Sequence, residues 1–273
     1  MSLVDATRSV MNSRRLPPLL VFGLLGGILL VYFALPFAVF LGRTGSIPVV
    51  ETLLETSSTT AVRNSLLTAP AATAVATAFG VPLAYVLARK TFPGKRLIEA
   101  LVVLPLVVPP VVGGAMLLSV MGRFTPIGAA AARVGVPLTG SLLGVVLAQM
   151  FVAAPFVVIT ARAGFGAVDE RLEQASRSLG YGPIATFRHV SLPLASRAIV
   201  AGIVLTFARA MGEFGATMMV AYNPRTMPTR IWVDFISGGI DAIVPLALAL
   251  LAVTLVVVVT VQQFAGVPTV VER

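Results

Sequence analysis

The chain has 273 residues, of which 57% are hydrophobic and only 11% charged. Soluble domains carry about a quarter charged residues, and here the missing charge is replaced by long runs of Leu, Val, Ala and Ile, which argues against a soluble globular fold. The net charge of +9 then points to orientation in a membrane rather than to nucleic acid, because the basic residues collect between apolar runs. The absence of cysteine and the single His189 exclude disulfides, thiolate chemistry and clustered Cys or His metal sites.

In chain order, Arg8, Arg14 and Arg15 precede an apolar stretch from Leu19 to Leu41. It is too long for the apolar region of a signal peptide and is expected to persist as a first helix. Residues 1–18 are then a cytoplasmic arm. Five more spans are expected at about 65–88, 98–121, 141–161, 198–221 and 242–263, each near the roughly 20 apolar residues that cross a bilayer. The expected fold is an all-α integral membrane protein with about six transmembrane helices. Residues 19–273 form one membrane domain, with a polar insertion at about 164–196 between the fourth and fifth spans. Lys and Arg outside the spans number thirteen on the side of the N-terminus, the second and fourth connections and the tail, against six on the other. The positive-inside rule places both termini in the cytoplasm.

The third span contains Pro105, Pro109 and Pro110 within Leu104–Gly113. Each proline removes a helix donor and disturbs the preceding turn. Pro109 lies about 18 Å along a helix begun at Leu97, near mid-depth, where broken transporter helices line substrate routes; a passive kink that fits neighbouring helices is the other reading. The polar insertion begins with Asp169, a helix-capping residue type. Leu172, Ala175, Ser176 and Leu179 follow on one helical face, with Glu170, Arg171, Glu173 and Arg177 elsewhere around it. Gly180, Gly182 and Pro183 supply a stop. Such a helix either docks on a protein or rests on lipid headgroups. In the fifth span, Arg209 falls at mid-depth and Glu213 follows at i+4 on the same face. Intramembrane charges are costly and face a cavity or one another, so Arg209 either meets an anion or is neutralised by Glu213. Pro109, Pro110, Arg209 and Glu213 are therefore the candidate translocation path or gate. Tyr222 and Trp232 suit interfacial anchoring, and His189 reads as a solvated or interface side chain. External segments at about 44–63 and 223–239 are candidate contacts for a substrate-delivery protein.

The run Glu173-Gln174-Ala175-Ser176-Arg177-Ser178-Leu179-Gly180, followed after nine residues by Val190-Ser191-Leu192-Pro193, resembles the signature loop of binding-protein-dependent ABC importer permeases. That family's pattern is Glu-Ala-Ala, three residues, Gly, nine residues, Ile-x-Leu-Pro. Here Gln174, Ala175 and Ser176 occupy the Glu-Ala-Ala positions, Glu173 sits one place early, and Val190 replaces Ile. With Asn64-Ser65, Gly122–Gly128 and Arg209-Ala210-Met211-Gly212-Glu213-Phe214-Gly215-Ala216-Thr217, the chain looks like the molybdate/tungstate and sulfate branch of these permeases, closer to the molybdate/tungstate members. The resemblance covers about residues 60–265. It implies a type I importer architecture, a coupling helix in the insertion, two ABC ATPase subunits, a second copy of the chain and an extracytoplasmic binding protein as partners, in contact with membrane lipid and not with nucleic acid. No cofactor is expected on the chain itself. Its one Gly-Lys pair, Gly94-Lys95, has Arg89 where a phosphate loop needs its first Gly and Arg96 where it needs Ser or Thr; ATP and Mg are then bound by the partner ATPase. The chain is expected to be a transport pore and not an enzyme. The alternatives are a sulfate or thiosulfate importer permease, or a secondary transporter with Glu213 as its coupling carboxylate. An intramembrane enzyme would need a paired catalytic constellation, which the spans lack.

Overall fold

The computed structural model describes residues 18–264; the expected cytoplasmic arm before Pro18, and Arg273, lie outside the described residues. Among the described residues all regular structure is helical. Two compact units divide between Val49 and Val50. The first contains α1, Pro18–Gly42, and a short 3₁₀ turn, Arg43–Ser46; its apolar run matches the first expected span. The short α2, Val49–Leu54, straddles the division, and the second unit continues with α3, Thr56–Arg89. At 34 residues α3 is about 51 Å long, well beyond the hydrocarbon thickness of about 30 Å, so it carries its C-terminal Arg89 past the apolar layer.

The span expected at 98–121 is not one helix. It divides into α4, Lys95–Val107, and α5, Pro110–Met121, whose axes differ by 119°. The break falls at Val108-Pro109, where Val108 is extended (φ −71°, ψ 128°). A residue before proline is pushed out of the helical region by the ring, and the consecutive Pro109-Pro110 leaves two positions without a donor. Pro110 then serves as the first residue of α5, where its missing N–H costs nothing. The short α6, Pro126–Arg133, is capped by Thr125, whose Oγ1 accepts from Gly128 N at 3.1 Å. α7, Leu142–Ala167, follows.

Beyond α7, the insertion forms α8, Glu170–Ser178, and α9, Pro183–Thr186. A π turn at Phe187–Ser191 joins α9 to α10, Leu192–Met211, without a break. The fifth span therefore ends at Met211 and not at 221; a short α11, Gly215–Val220, follows as a separate element. The last helix, α12, runs Met227–Phe264 with a non-helical Gly239 (φ 72°, ψ −159°) inside it. The expected external segment at 223–239 is thus mostly helix and leads directly into the sixth span. Its start is tied to α3: Asn64 Nδ2 donates to Arg225 O at 2.8 Å and Met227 N donates to Ser65 Oγ at 2.8 Å. Among the described residues five helices are long and apolar enough to cross a membrane, or six if the bent α4–α5 pair is one span.

The core of the second unit lies among α3, α7 and α10. Ala76, Ala84, Leu87, Val157, Ala161, Phe165, Ala195 and Ile199 form one buried cluster; Ala69, Ala72, Ala153, Phe207, Ala210 and Met211 contribute to another. Small residues dominate because apolar side chains gain little by leaving lipid for protein, so helices associate by close backbone approach and dispersion. At Gly202 on α10 an added Cβ would overlap Thr160 Oγ1 and lie 3.0 Å from the backbone of Val157 on α7. A Gly202→Leu variant is therefore expected to lose about 1–3 kcal/mol through overpacking, seen as a lower midpoint for loss of the monodisperse species on heating in detergent, with Gly202→Ala intermediate.

Candidate functional site

Asp169 starts α8 by accepting from Arg171 N at 2.9 Å, the capping role its residue type suggests. At the other end Gly180 has φ 88°, its N–H donates to Arg177 O at 2.9 Å, and Tyr181 N donates to Ser176 O at 3.2 Å. This is a Schellman closure, which needs a left-handed residue and so favours glycine.

Around the helix Leu172, Ala175, Ser176 and Leu179 share one side, as their spacing predicts, and all four line the same groove. Leu172, Ala175 and Leu179 are exposed, the two leucines at 48% and 79%, while Ser176 is buried. Ser176 Oγ lies 3.0 Å from Thr186 Oγ1, pinning α8 to α9. Glu173, expected elsewhere around the helix, is instead buried, at 4% exposure. Its Oε1 accepts from Arg89 Nε at 2.9 Å and from Ser191 Oγ at 2.7 Å; Oε2 lies 3.4 Å from the Tyr85 hydroxyl and 3.7 Å from Arg177 Nη2. Arg89 also donates through Nη2 to Val168 O at 2.8 Å. The carboxylate holds the end of α3, the start of α8 and the π turn together. Gln174 is exposed.

With Glu173 and Ser176 buried, α8 presents Leu172, Ala175 and Leu179 outward, while Arg171, Gln174 and Arg177 are exposed elsewhere around it. A cavity of about 570 Å³ opens there, lined by Leu172, Ala175, Leu179, Val190 and Pro193 among others. Leu192 is half-buried and packs against the main core cluster, so the two ends of the signature loop have different duties: Val190 and Pro193 face the groove, Leu192 the interior. His189 is exposed, with Nδ1 2.9 Å from Ala185 O.

Of the path candidates, Arg209 and Glu213 pair and Pro110 lies against Gly215 just beyond them, while Pro109 precedes α5 as its N-cap. α10 ends at Met211, so Glu213 lies in the break before α11. It is fully buried. Oε2 pairs with Arg209 Nη2, and Oε1 accepts from Ala216 N at 2.7 Å, which caps α11. The Arg209 side chain retains 27% exposure. A Cβ on Gly215 would lie 3.0 Å from Pro110 Cβ and 3.1 Å from Val111 N, so the start of α11 rests on the start of α5. The adjacent Phe214 ring packs on Trp232, centroids 5.4 Å apart, linking the break to α12. Trp232 therefore has a packing partner beyond the expected membrane interface. Arg89, Tyr85 and Ser191 were not visible as site residues in the sequence. Arg89 and Tyr85 sit at the end of an ordinary span, and only the return of the chain some 84 residues later brings Glu173 to Arg89.

The sequence profile of a family described as "Binding-protein-dependent transport system inner membrane component" matches residues 80–267. The chain belongs to this family. It is 50% identical over 230 residues, 84% of each chain, to the "Probable molybdenum ABC transporter permease protein" of Haloferax volcanii. It is 40% identical over 255 residues, 93% of this permease and 98% of the relative, to the "Molybdate/tungstate transport system permease protein WtpB" of Thermococcus kodakarensis. The fold matches a permease chain of a bacterial alginate ABC transporter crystallised with its alginate-loaded periplasmic protein, at a TM-score of 0.68 and 15% identity, covering 90% of this permease and 93% of that chain.

The geometry of this permease makes Glu213 a cap as well as an ion-pair partner. In Glu213→Ala, Ala216 N–H is left buried without an acceptor and Arg209 without a counter-charge. The expected loss is about 1–3 kcal/mol for the orphaned donor, read as a lowered unfolding midpoint in detergent. Glu213→Gln retains an acceptor oxygen and should recover part of it.

Proposed function

We propose that this permease supplies the gated route of an ATP-driven, binding-protein-dependent importer for a tetrahedral oxyanion, molybdate or tungstate. The observation that carries the reading is the outward apolar side of α8. A nine-residue helix that buries Glu173 and shows Leu172 and its C-cap Leu179 to solvent is built to be covered by another protein. Family membership and the molybdate- and tungstate-related names of the similar permeases support the rest. Both termini and α8 are cytoplasmic on the positive-inside count. The chain is a pore subunit and not an enzyme, and pairs with a second copy of itself. Each copy docks one ABC ATPase subunit through the loop at about 164–196, and ATP and Mg are bound there. An extracytoplasmic binding protein delivers the anion from the opposite side.

In this reading, closure of the ATPase pair on ATP draws the two α8 helices together. The motion passes through the π turn into α10, whose far end is the Arg209–Glu213 break stacked on Pro110 of α5. The two helix breaks are then the moving parts of the gate. The half-exposed Arg209 guanidinium offers a positive charge along the path, and Glu213 keeps that charge from binding the anion too tightly to release it. A gradient-driven carrier needs a carboxylate free to exchange its proton. Glu213 is instead engaged by Arg209 and by the α11 backbone, so the observation favours the ATP-driven reading.

The test is reconstitution of the permease with its ATPase and binding protein in liposomes. Molybdate accumulation is expected to require ATP inside, to be blocked by vanadate and to be competed by tungstate but not by sulfate. Uptake without any ATPase subunit refutes the reading. In Leu179→Asp a charge enters the docking face without disturbing the core; ATPase association should weaken by about 2 kcal/mol or more, roughly thirtyfold, measured by co-purification titration.

A further inference from the structure

We infer that Arg89, at the end of α3, is a positioning residue for coupling: through the buried Glu173 carboxylate it clamps α8, α3 and the start of α10 into one mechanical unit. The inference rests on the reading of α8 as the element that docks the ATPase. It reverses what the loop's acidic residue would otherwise suggest, namely an acidic contact offered to the partner.

Glu173 has nothing left to offer a partner. A carboxylate has about four acceptor positions, and four side chains already converge on this one: Arg89 at 2.9 Å and Ser191 at 2.7 Å on Oε1, with Tyr85 at 3.4 Å and Arg177 at 3.7 Å around Oε2. Arg89 is fixed in turn: its side chain is 7% exposed, its Nη2 is bonded to Val168 O at 2.8 Å, and Nη1 lies 3.8 Å from Glu170. The guanidinium fork thus grips α8 at its first turn and the chain just before it. Aromatic packing fills the space beneath: Tyr85 meets Phe165 of α7 at 5.2 Å and Phe187 of the π turn at 4.8 Å. On the far side Ser176 and Thr186 join α8 to α9. A push on Leu172 and Leu179 is therefore delivered to α3, α7 and α10 together, since a buried ion pair braced by the Ser191 and Tyr85 hydroxyls fixes one geometry.

The experiment uses the complete transporter, with ATPase and binding protein, in liposomes, and compares molybdate accumulated per ATP hydrolysed. Arg89→Ala is expected to keep its ATPase subunits while that ratio falls at least about fivefold, the lower end of usual inter-site coupling. Arg89→Lys, which keeps the charge but lacks the fork, should fall in between. A wild-type ratio in Arg89→Ala overturns the inference, as does loss of ATPase binding, which would make the group part of the docking face. A second measurement does not depend on removing the clamp. The chain contains no cysteine, so Ser176→Cys with Thr186→Cys forms a cross-link free of background. Closing that disulfide should leave the molybdate-per-ATP ratio of the same reduced variant unaltered; if oxidation stops transport and reduction restores it, α8 pivots against α9 and the single-unit inference falls. Wild-type uptake that needs no ATPase would instead sink the reading on which it rests.

Discussion

Inside hydrocarbon, every backbone N–H and C=O must find its partner within the protein. Long continuous helices answer this directly, and α3, α7 and α10 do so. Two interruptions in the second unit, apart from the Gly239 kink of α12, show how the demand is met. At Val108-Pro109 the break costs little, because proline has no N–H to satisfy and Gly113 N bonds back to Pro109 O at 3.0 Å. At residues 212–214 no proline helps. Gly212 N and Glu213 N bond to Ala208 O and Ala210 O, and in the first turn of α11 Ala216 N donates to Glu213 Oε1. A buried glutamate is tolerated there because it supplies the missing acceptor and has Arg209 beside it.

The two buried carboxylates show that similar chemistry serves different mechanical ends. Glu213 is held by residues within four positions of itself, so it shapes a local break. Glu173 is held by Arg89 and Tyr85 from α3 and by Ser191 from the π turn, so it joins distant segments. Removing one member of a buried pair leaves a desolvated charge and is costly, whereas the intact pair contributes little net stability. Their value is therefore geometric: each fixes one arrangement of the segments it joins.

Legibility followed the range of the interaction. The apolar runs, the cap at Asp169 and the stop at Gly180 depend on neighbours in sequence, and they are where the residues suggest. The proline cluster signals a disturbance of the third span, but its 119° size depends on packing against α7 and α11 and has no local signature. The i+4 spacing of Arg209 and Glu213 assumes a helix that continues; Gly212 and Gly215 allow it to stop, and the pair survives in a different geometry. For α8, periodicity groups Ser176 with the leucines, as the groove does, but it does not show that Thr186 buries Ser176 or that Arg89 buries Glu173. Helical pattern finds a face; it does not say whether water, lipid or protein covers it.

That ambiguity is narrowed by what lies behind α8. A helix resting on headgroups keeps its charged residues toward water and its leucines toward lipid, and needs no fixed attachment to the rest of the chain. Here the helix is held through Glu173, Ser176 and the Schellman turn, and two of those contacts are buried. Its exposed leucines border a groove completed by Val190 and Pro193, beyond the turn, so the surface is assembled from two segments whose relative placement the buried contacts fix. Lipid asks only for apolarity. A surface of fixed shape, anchored to the end of a helix longer than the bilayer is thick, is what a protein partner needs if its movement is to reach the membrane.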